Sequence, residues 1–170
     1  SISLIKGVYA PNQILQALLR QKSRDRLQEQ ALKLITLLSG ESAVSLDDFG
    51  IHGSIALNMH TAQSDIDIAV YGSENFRKLE AAILRLVEQG EIENVGKNRG
   101  RYMSKAFVYN AVRKPDEVEV RYGDYKYTPM TQLKFQCAVE DDGQAMFRPA
   151  IYTINHYRPL NQSSELESEY

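Results

Sequence analysis

The residues able to do chemistry lie in one stretch, GIHGSIALNMHTAQSDIDIAVYG, residues 50–72. It carries a Gly-Ser pair, Gly53 and Ser54, then ten residues, then Asp65-Ile66-Asp67. In a strand, residues i and i+2 share a face. Asp65 and Asp67 are therefore expected to project side by side, with Ile66 and Ile68 turned into the core. Two neighbouring carboxylates repel and raise each other's pKa unless a cation sits between them. An oxygen-only ligand pair of this kind suits Mg²⁺ or Mn²⁺. Gly53 lets the backbone come close to a ligand. Ser54 is expected to open a short helix whose free N–H groups favour a phosphate. A phosphate cradle beside a metal-binding carboxylate pair is the layout of a nucleoside triphosphate site.

This combination resembles the nucleotidyltransferase superfamily of the DNA polymerase beta type. The superfamily motif is a hydrophobic residue, Gly-Ser or Gly-Gly, a spacer, and Asp-x-Asp flanked by hydrophobic residues. It reads here as Ile51-His52-Gly53-Ser54 and Ser64-Asp65-Ile66-Asp67-Ile68, and the resemblance covers residues 41–124. The order of segments looks most like the predicted archaeal nucleotidyltransferases, which carry an extra β-rich C-terminal part. The resemblance implies an α+β fold with a mixed β-sheet and helices packed on one side. It also implies transfer of a nucleoside monophosphate from an NTP such as ATP to an acceptor hydroxyl, with two metal ions; whether that hydroxyl belongs to an RNA, a protein or a small molecule is left open by the motif. Finally, it implies a third carboxylate on a later strand. Glu117 and Glu119 in EVEVRY are the candidates, and Glu119 is favoured because it sits deeper in the strand. Asp65, Asp67 and Glu119 are thus the expected catalytic and metal-binding set. The runner-up is a catalytically inactive module of the same fold that binds nucleotide, nucleic acid or a protein partner.

Around this motif, GKNRGRY (residues 96–102) reads as a basic loop. Its Lys97, Arg99 and Arg101, with Arg113, Lys114 and Arg121, are expected to meet a triphosphate or a nucleic-acid backbone, or simply to be solvated. His52 and His60 flank the motif and read as packed or surface residues before they read as ligands. Cys137 is the lone cysteine, which excludes a Cys-cluster zinc site and argues for a reducing, cytoplasmic setting.

The elements that must position these groups follow from periodicity. Pro11 opens a helix, and Ile14, Leu15, Leu18 and Leu19 form its apolar stripe. After the polar QKSRDR, the stripe resumes at Leu27, Ala31, Leu34, Ile35 and Leu38, with Gly40 as the expected C-terminal cap. Strands are expected at 44–51, 66–71, 105–112 and 117–122, and a helix follows the second, capped by Ser73. A hairpin is expected to turn at Glu140-Asp141-Asp142-Gly143. The domain reading is a helical segment over 1–40, a nucleotidyltransferase-like core over 41–126, a β-rich segment over 127–160 and a polar tail over 161–170.

Composition agrees with a globular chain: 170 residues, 43% apolar and 25% charged. The net charge of -2 gives no global field that would draw nucleic acid. There is no apolar run long enough for a membrane span and no signal-peptide layout at SISLIKGVYAPN.

Overall fold

The computed structural model describes residues 7–118, 123, 124, 126, 128 and 132–160. The chain divides into two compact units, Ser1–Lys114 and Pro115–Tyr170.

The first unit starts with two helices, α1 (Pro11–Arg20) and α2 (Arg26–Ser42). The polar linker separates them because its side chains serve both helix ends. Arg24 donates to the carbonyls of Leu18 at 3.1 Å and Gln21 at 2.8 Å, closing α1. Asp25 then accepts from the Leu27 and Gln28 N–H groups, while Gln28 accepts from the Asp25 N–H. That is a reciprocal capping box, which fixes where α2 begins. Contrary to expectation, Gly40 does not end α2. The left-handed cap is Ala43, with φ 56°.

A single 3-10 turn, Leu46–Asp48, leads into β1 (Phe49–Ile51). The strand expected over 44–51 is thereby cut to three residues, because the Ser45 side chain accepts from the Asp47 N–H and starts the turn. The chain continues through α3 (Gly53–Ala56), β2 (Ile66–Tyr71) and α4 (Ser73–Glu88). Gly72, with φ +97°, takes the N-cap of α4, and Ser73 lies inside the helix.

β3 (Glu93–Gly96), β4 (Arg99–Tyr102) and β5 (Lys105–Val112) complete a five-stranded sheet of order β1-β2-β5-β4-β3. β2 and β5 are parallel and joined through α4, while the remaining pairs are antiparallel, so the sheet is mixed. The segment expected as a basic loop is a hairpin, with Lys97 and Asn98 at its turn and Asn98 at φ 56°. Asparagine tolerates that left-handed conformation. Gly100 lets β4 lie over the core, since a Cβ there would come 2.5 Å from the Phe107 ring.

The core is one apolar layer. Leu34, Ile35 and Leu38 of α2 and Phe76, Leu79 and Leu86 of α4 are buried with Phe49, Ile51, Ile66, Ile68, Val70 and Phe107 of the sheet. Alternation along β2 and β5 puts these apolar side chains on one face and leaves Asp67, Ala106, Val108 and Asn110 on the other. Gly50 is needed for α1 to close down, because a Cβ there would sit 2.6 Å from Pro11.

The second unit begins with a 3-10 turn, Pro115–Glu117. Glu117 is therefore not in the expected strand, and Glu119, Arg121 and Tyr122 lie outside the described residues. β6 (Phe135–Gln144) and β7 (Ile151–Pro159) form a two-stranded antiparallel sheet, with Phe135 and Tyr157 ring centroids 5.2 Å apart. β6 runs past the expected turn. Asp141 accepts from the Gly143 N–H at 2.8 Å, where the pairing register shifts, so the Asp-Gly signal marks a bulge within the strand. The protein is α+β, with N-terminal helices, a mixed sheet with helices and a C-terminal hairpin. Among the described residues, no helix is long and apolar enough to cross a membrane.

Candidate active site

Asp65 immediately precedes β2 and Asp67 is its second residue. Ile66 and Ile68 are fully buried, Asp67 is half-buried and Asp65 is exposed, so the two carboxylates share the face away from the core, as their spacing predicts. Burial pushes the Asp67 carboxyl above the usual carboxylate range. The neighbouring His52 pulls it down, and the Asp65 charge pushes it up again. Among the described residues, neither carboxylate has an ion-pair partner.

The Gly-Ser turn meets Asp67 directly. β1 and β2 pair through Ile51 and Ile68, and the His52 N–H extends the ladder by donating to the Asp67 carbonyl at 3.1 Å. Gly53 follows with φ +62°. A Cβ on Gly53 would lie 2.0 Å from Asp67 Oδ2 and 2.8 Å from its Cγ. Glycine is required here both by conformation and by space. Ser54 lies in the first turn of α3, and His52 occupies the cap position.

Arg99 and Arg101 reach the same face from β4. Arg99 pairs with Val108, and Val108 pairs with Asp67. Arg101 pairs with Ala106, which stands in line with Asp65, one residue before the paired stretch of β2. At about 4.8 Å per strand step, Arg99 and Asp67 are about 10 Å apart across a floor of small side chains. Arg101 is tied to Glu93 at 3.4 Å, whereas Arg99 has no ion-pair partner among the described residues. Lys114 is drawn away to Asp48 at 2.9 Å.

The segment between α3 and β2 is anchored from two sides. The His60 side chain is buried, and its Nε2 meets Asp25 Oδ2 at 2.6 Å, tying the segment to the cap of α2. Lys105 donates to the Ala62 carbonyl at 2.7 Å. His60 is thus a packed residue, as its sequence context suggested. His52 belongs to the site itself: its Nε2 accepts from Asn110 Nδ2 at 3.4 Å. Asn110 was not evident from the motif. The signal for it is a strand-disfavoured residue at an even position of KAFVYNAV, on the same face as Asp67.

The donor set fits a divalent cation in part. Asp65 and Asp67 supply oxygens, charge and a shared orientation, and the residue opposite them is glycine. Among the described residues, no third histidine, cysteine or carboxylate joins them. The strand hydrogen-bonded to β2 presents Ala106, Val108 and Asn110 on this face, with no acidic side chain.

A family model for the nucleotidyltransferase domain matches residues 38–127, which includes both halves of the motif. The uncharacterized protein MJ1086 of Methanocaldococcus jannaschii is 24% identical over 160 residues, covering 77% of this chain and 47% of the relative. The chain thus spans about half the length of the curated relative it matches. No solved structure matches.

Proposed function

The chain belongs to the nucleotidyltransferase domain family, and from that premise we infer that it transfers a nucleoside monophosphate from an NTP to an acceptor hydroxyl. The observation that supports this most is the contact between Gly53 and Asp67. A glycine turn that opens a short helix and a carboxylate pair with no ion-pair partner among the described residues meet at one point of the sheet. Asp65 and Asp67 would hold Mg²⁺ or Mn²⁺, which when bound neutralises the triphosphate and polarises the oxygens that react. Gly53 and Ser54 would hold phosphate oxygens, with Arg99, and secondarily Arg101, meeting the charge that remains. The acceptor oxygen attacks the α-phosphorus, the bond to pyrophosphate breaks, and the acceptor gives up its proton. Glu119 is assigned from the sequence as the third carboxylate and the recipient of that proton. A cytoplasmic setting is in keeping with a single cysteine.

The absence of an acidic side chain on the site face of β5 favours a second reading, in which the domain binds nucleotide without turnover. One experiment separates the two. The protein is incubated with each labelled NTP, Mg²⁺ or Mn²⁺ and pooled RNA and protein acceptors, and pyrophosphate release is followed. Release that disappears in Asp65→Ala and Asp67→Ala supports transfer. Retained NTP binding with no release supports the binding module. NTP affinity that is indifferent to metal in wild type and both variants rejects the site.

A further inference from the structure

His52 joins three strands. It directly follows β1, its N–H donates to the Asp67 carbonyl on β2 at 3.1 Å, and its ring accepts from Asn110 on β5 at 3.4 Å. Asn110 pairs in register with Ala69, two residues beyond Asp67 on the same face of β2. The backbone of residue 52 is thus tied to one neighbouring strand and its side chain to the next. What this link positions is Gly53. Its Cα borders the Asp67 carboxylate so closely that no Cβ fits between them. A lateral shift of the turn must therefore move the carboxylate or separate the two. Both His52 and Asn110 are half-buried, so their hydrogen bond is only partly replaceable by water. Asparagine is depleted in strands, and mid-strand on β5 its amide has the His52 ring as partner.

We propose that Asn110 and His52 are positioning residues: Asn110 holds the His52 ring, and through it the Gly53–Ser54 turn, in register with Asp67, so that turn and carboxylate face a single nucleoside triphosphate. This rests on the function proposed above and assigns the alignment of its site to two side chains outside the Gly-Ser and Asp-x-Asp motif. With Asn110 donating, Nε2 of the neutral ring accepts and Nδ1 carries the proton.

The test compares wild type with Asn110→Ala, His52→Ala, the double variant and His52→Gln, whose amide reaches the place of Nε2. Each alanine variant is expected to raise the KM for ATP about five- to tenfold, the worth of about one hydrogen bond, with a smaller change in kcat. The double variant should be no worse than either single one, because both break the same link. His52→Gln should recover most of the lost affinity. Additive losses overturn the proposal, as does an Asn110→Ala protein with wild-type KM or a fall in kcat at constant KM. If Asn110→Ala does not fold, Asn110→Thr keeps strand preference without the reach and serves in its place.

A second readout needs no nucleotide. In ¹⁵N spectra, the alanine change at 110 should move the His52 ring nitrogens and the Gly53, Ser54 and Asp67 amides, and unmoved signals overturn the proposal. A wild-type protein that shows this link but binds no ATP with Mg²⁺ or Mn²⁺ rejects the proposed function and leaves the link standing.

Discussion

Asp67 Oδ2 occupies the space in which a side chain on residue 53 would begin, 2.0 Å from the position of its Cβ. Gly53→Ala therefore has no quiet outcome. The added methyl must displace the carboxylate, and the φ of +62° opposes any L side chain by about 1–2 kcal/mol. The expected result is a loss of Mn²⁺-dependent ATP binding of about a hundredfold or more, the scale of one misplaced catalytic contact. A stability loss of the stated size should accompany it in urea unfolding. Titration with Mn²⁺ and ATP checks the first, and a Gly53→Ala protein that binds both normally contradicts the contact.

The charge on Asp67 opposes folding at neutral pH. Burial first, and Asp65 in addition, raise its folded-state pKa above 3.8, so the folded protein holds the proton more tightly than the unfolded chain. The stability contributed by this group is complete below 3.8 and is lost as the pH rises through the raised value. Asp67→Asn is accordingly expected to melt above wild type at pH 7 in the absence of metal. The gap should close as the pH falls toward 3.8. Added Mg²⁺ or Mn²⁺ should raise the melting temperature of wild type and leave the variant unmoved. Scanning calorimetry with and without metal checks both parts, and a variant less stable than wild type at pH 7 would show that Asp67 is structural.

Periodicity and turn chemistry made the motif strand legible: Ile66 and Ile68 inside, Asp65 and Asp67 outside, with the helix and β5 placed as expected. Other features depended on contacts that local pattern does not encode. The segment 96–102 looks like a loop because it is basic and contains glycine, but Gly100 is there to clear Phe107, a partner on another strand. Gly40 looks like a cap, yet helix α2 runs to Ser42 and is capped by Ala43. Asn110 carries no motif, and its place beside His52 follows only from the parallel pairing of β2 with β5. His60 was legible as a packed residue but not as the partner of Asp25, which lies 35 residues earlier.

Arg99 and Arg101 lie on the same strand face, yet they are not equivalent. Arg101 is engaged with Glu93, while Arg99 stands in the row of Asp67 with no ion-pair partner among the described residues. Arg99→Ala should weaken ATP binding by about tenfold or more, as expected for a charge-assisted hydrogen bond. Arg101→Ala should cost less, because its exposed pair with Glu93 already competes for the guanidinium. Affinities measured at low and high salt check this, with the larger drop in salt dependence expected for Arg99→Ala. Equal losses in the two variants would mean that the register across β2, β5 and β4 does not set the phosphate contact.

Asp25 serves two elements at once, and two substitutions separate its roles. Its carboxylate caps α2 and also meets the buried side chain of His60, whose Nδ1 has no hydrogen-bond partner among the described residues. Burial raises the Asp25 pKa, but the Gln28 N–H, the His60 contact and the Leu27 N–H together outweigh it and hold the group below 3.8. Its contribution to stability is thus present above that value and lost as the pH falls through the lower folded-state pKa. Asp25→Asn keeps an N-cap of similar quality but loses the charge facing His60, so it should retain most helix stability and show a weaker acid transition. Asp25→Ala loses both, and its cost should be about 0.5–2 kcal/mol from the cap alone. The segment from Leu57 to Ser64 should then exchange its amide hydrogens faster, because His60 no longer ties it to α2. Asp65 directly follows that segment, so Mn²⁺ affinity should fall in Asp25→Ala more than in Asp25→Asn. Hydrogen exchange together with Mn²⁺ titration measures the pair of effects. Faster exchange with unchanged Mn²⁺ affinity would show that the segment and the carboxylates are held independently.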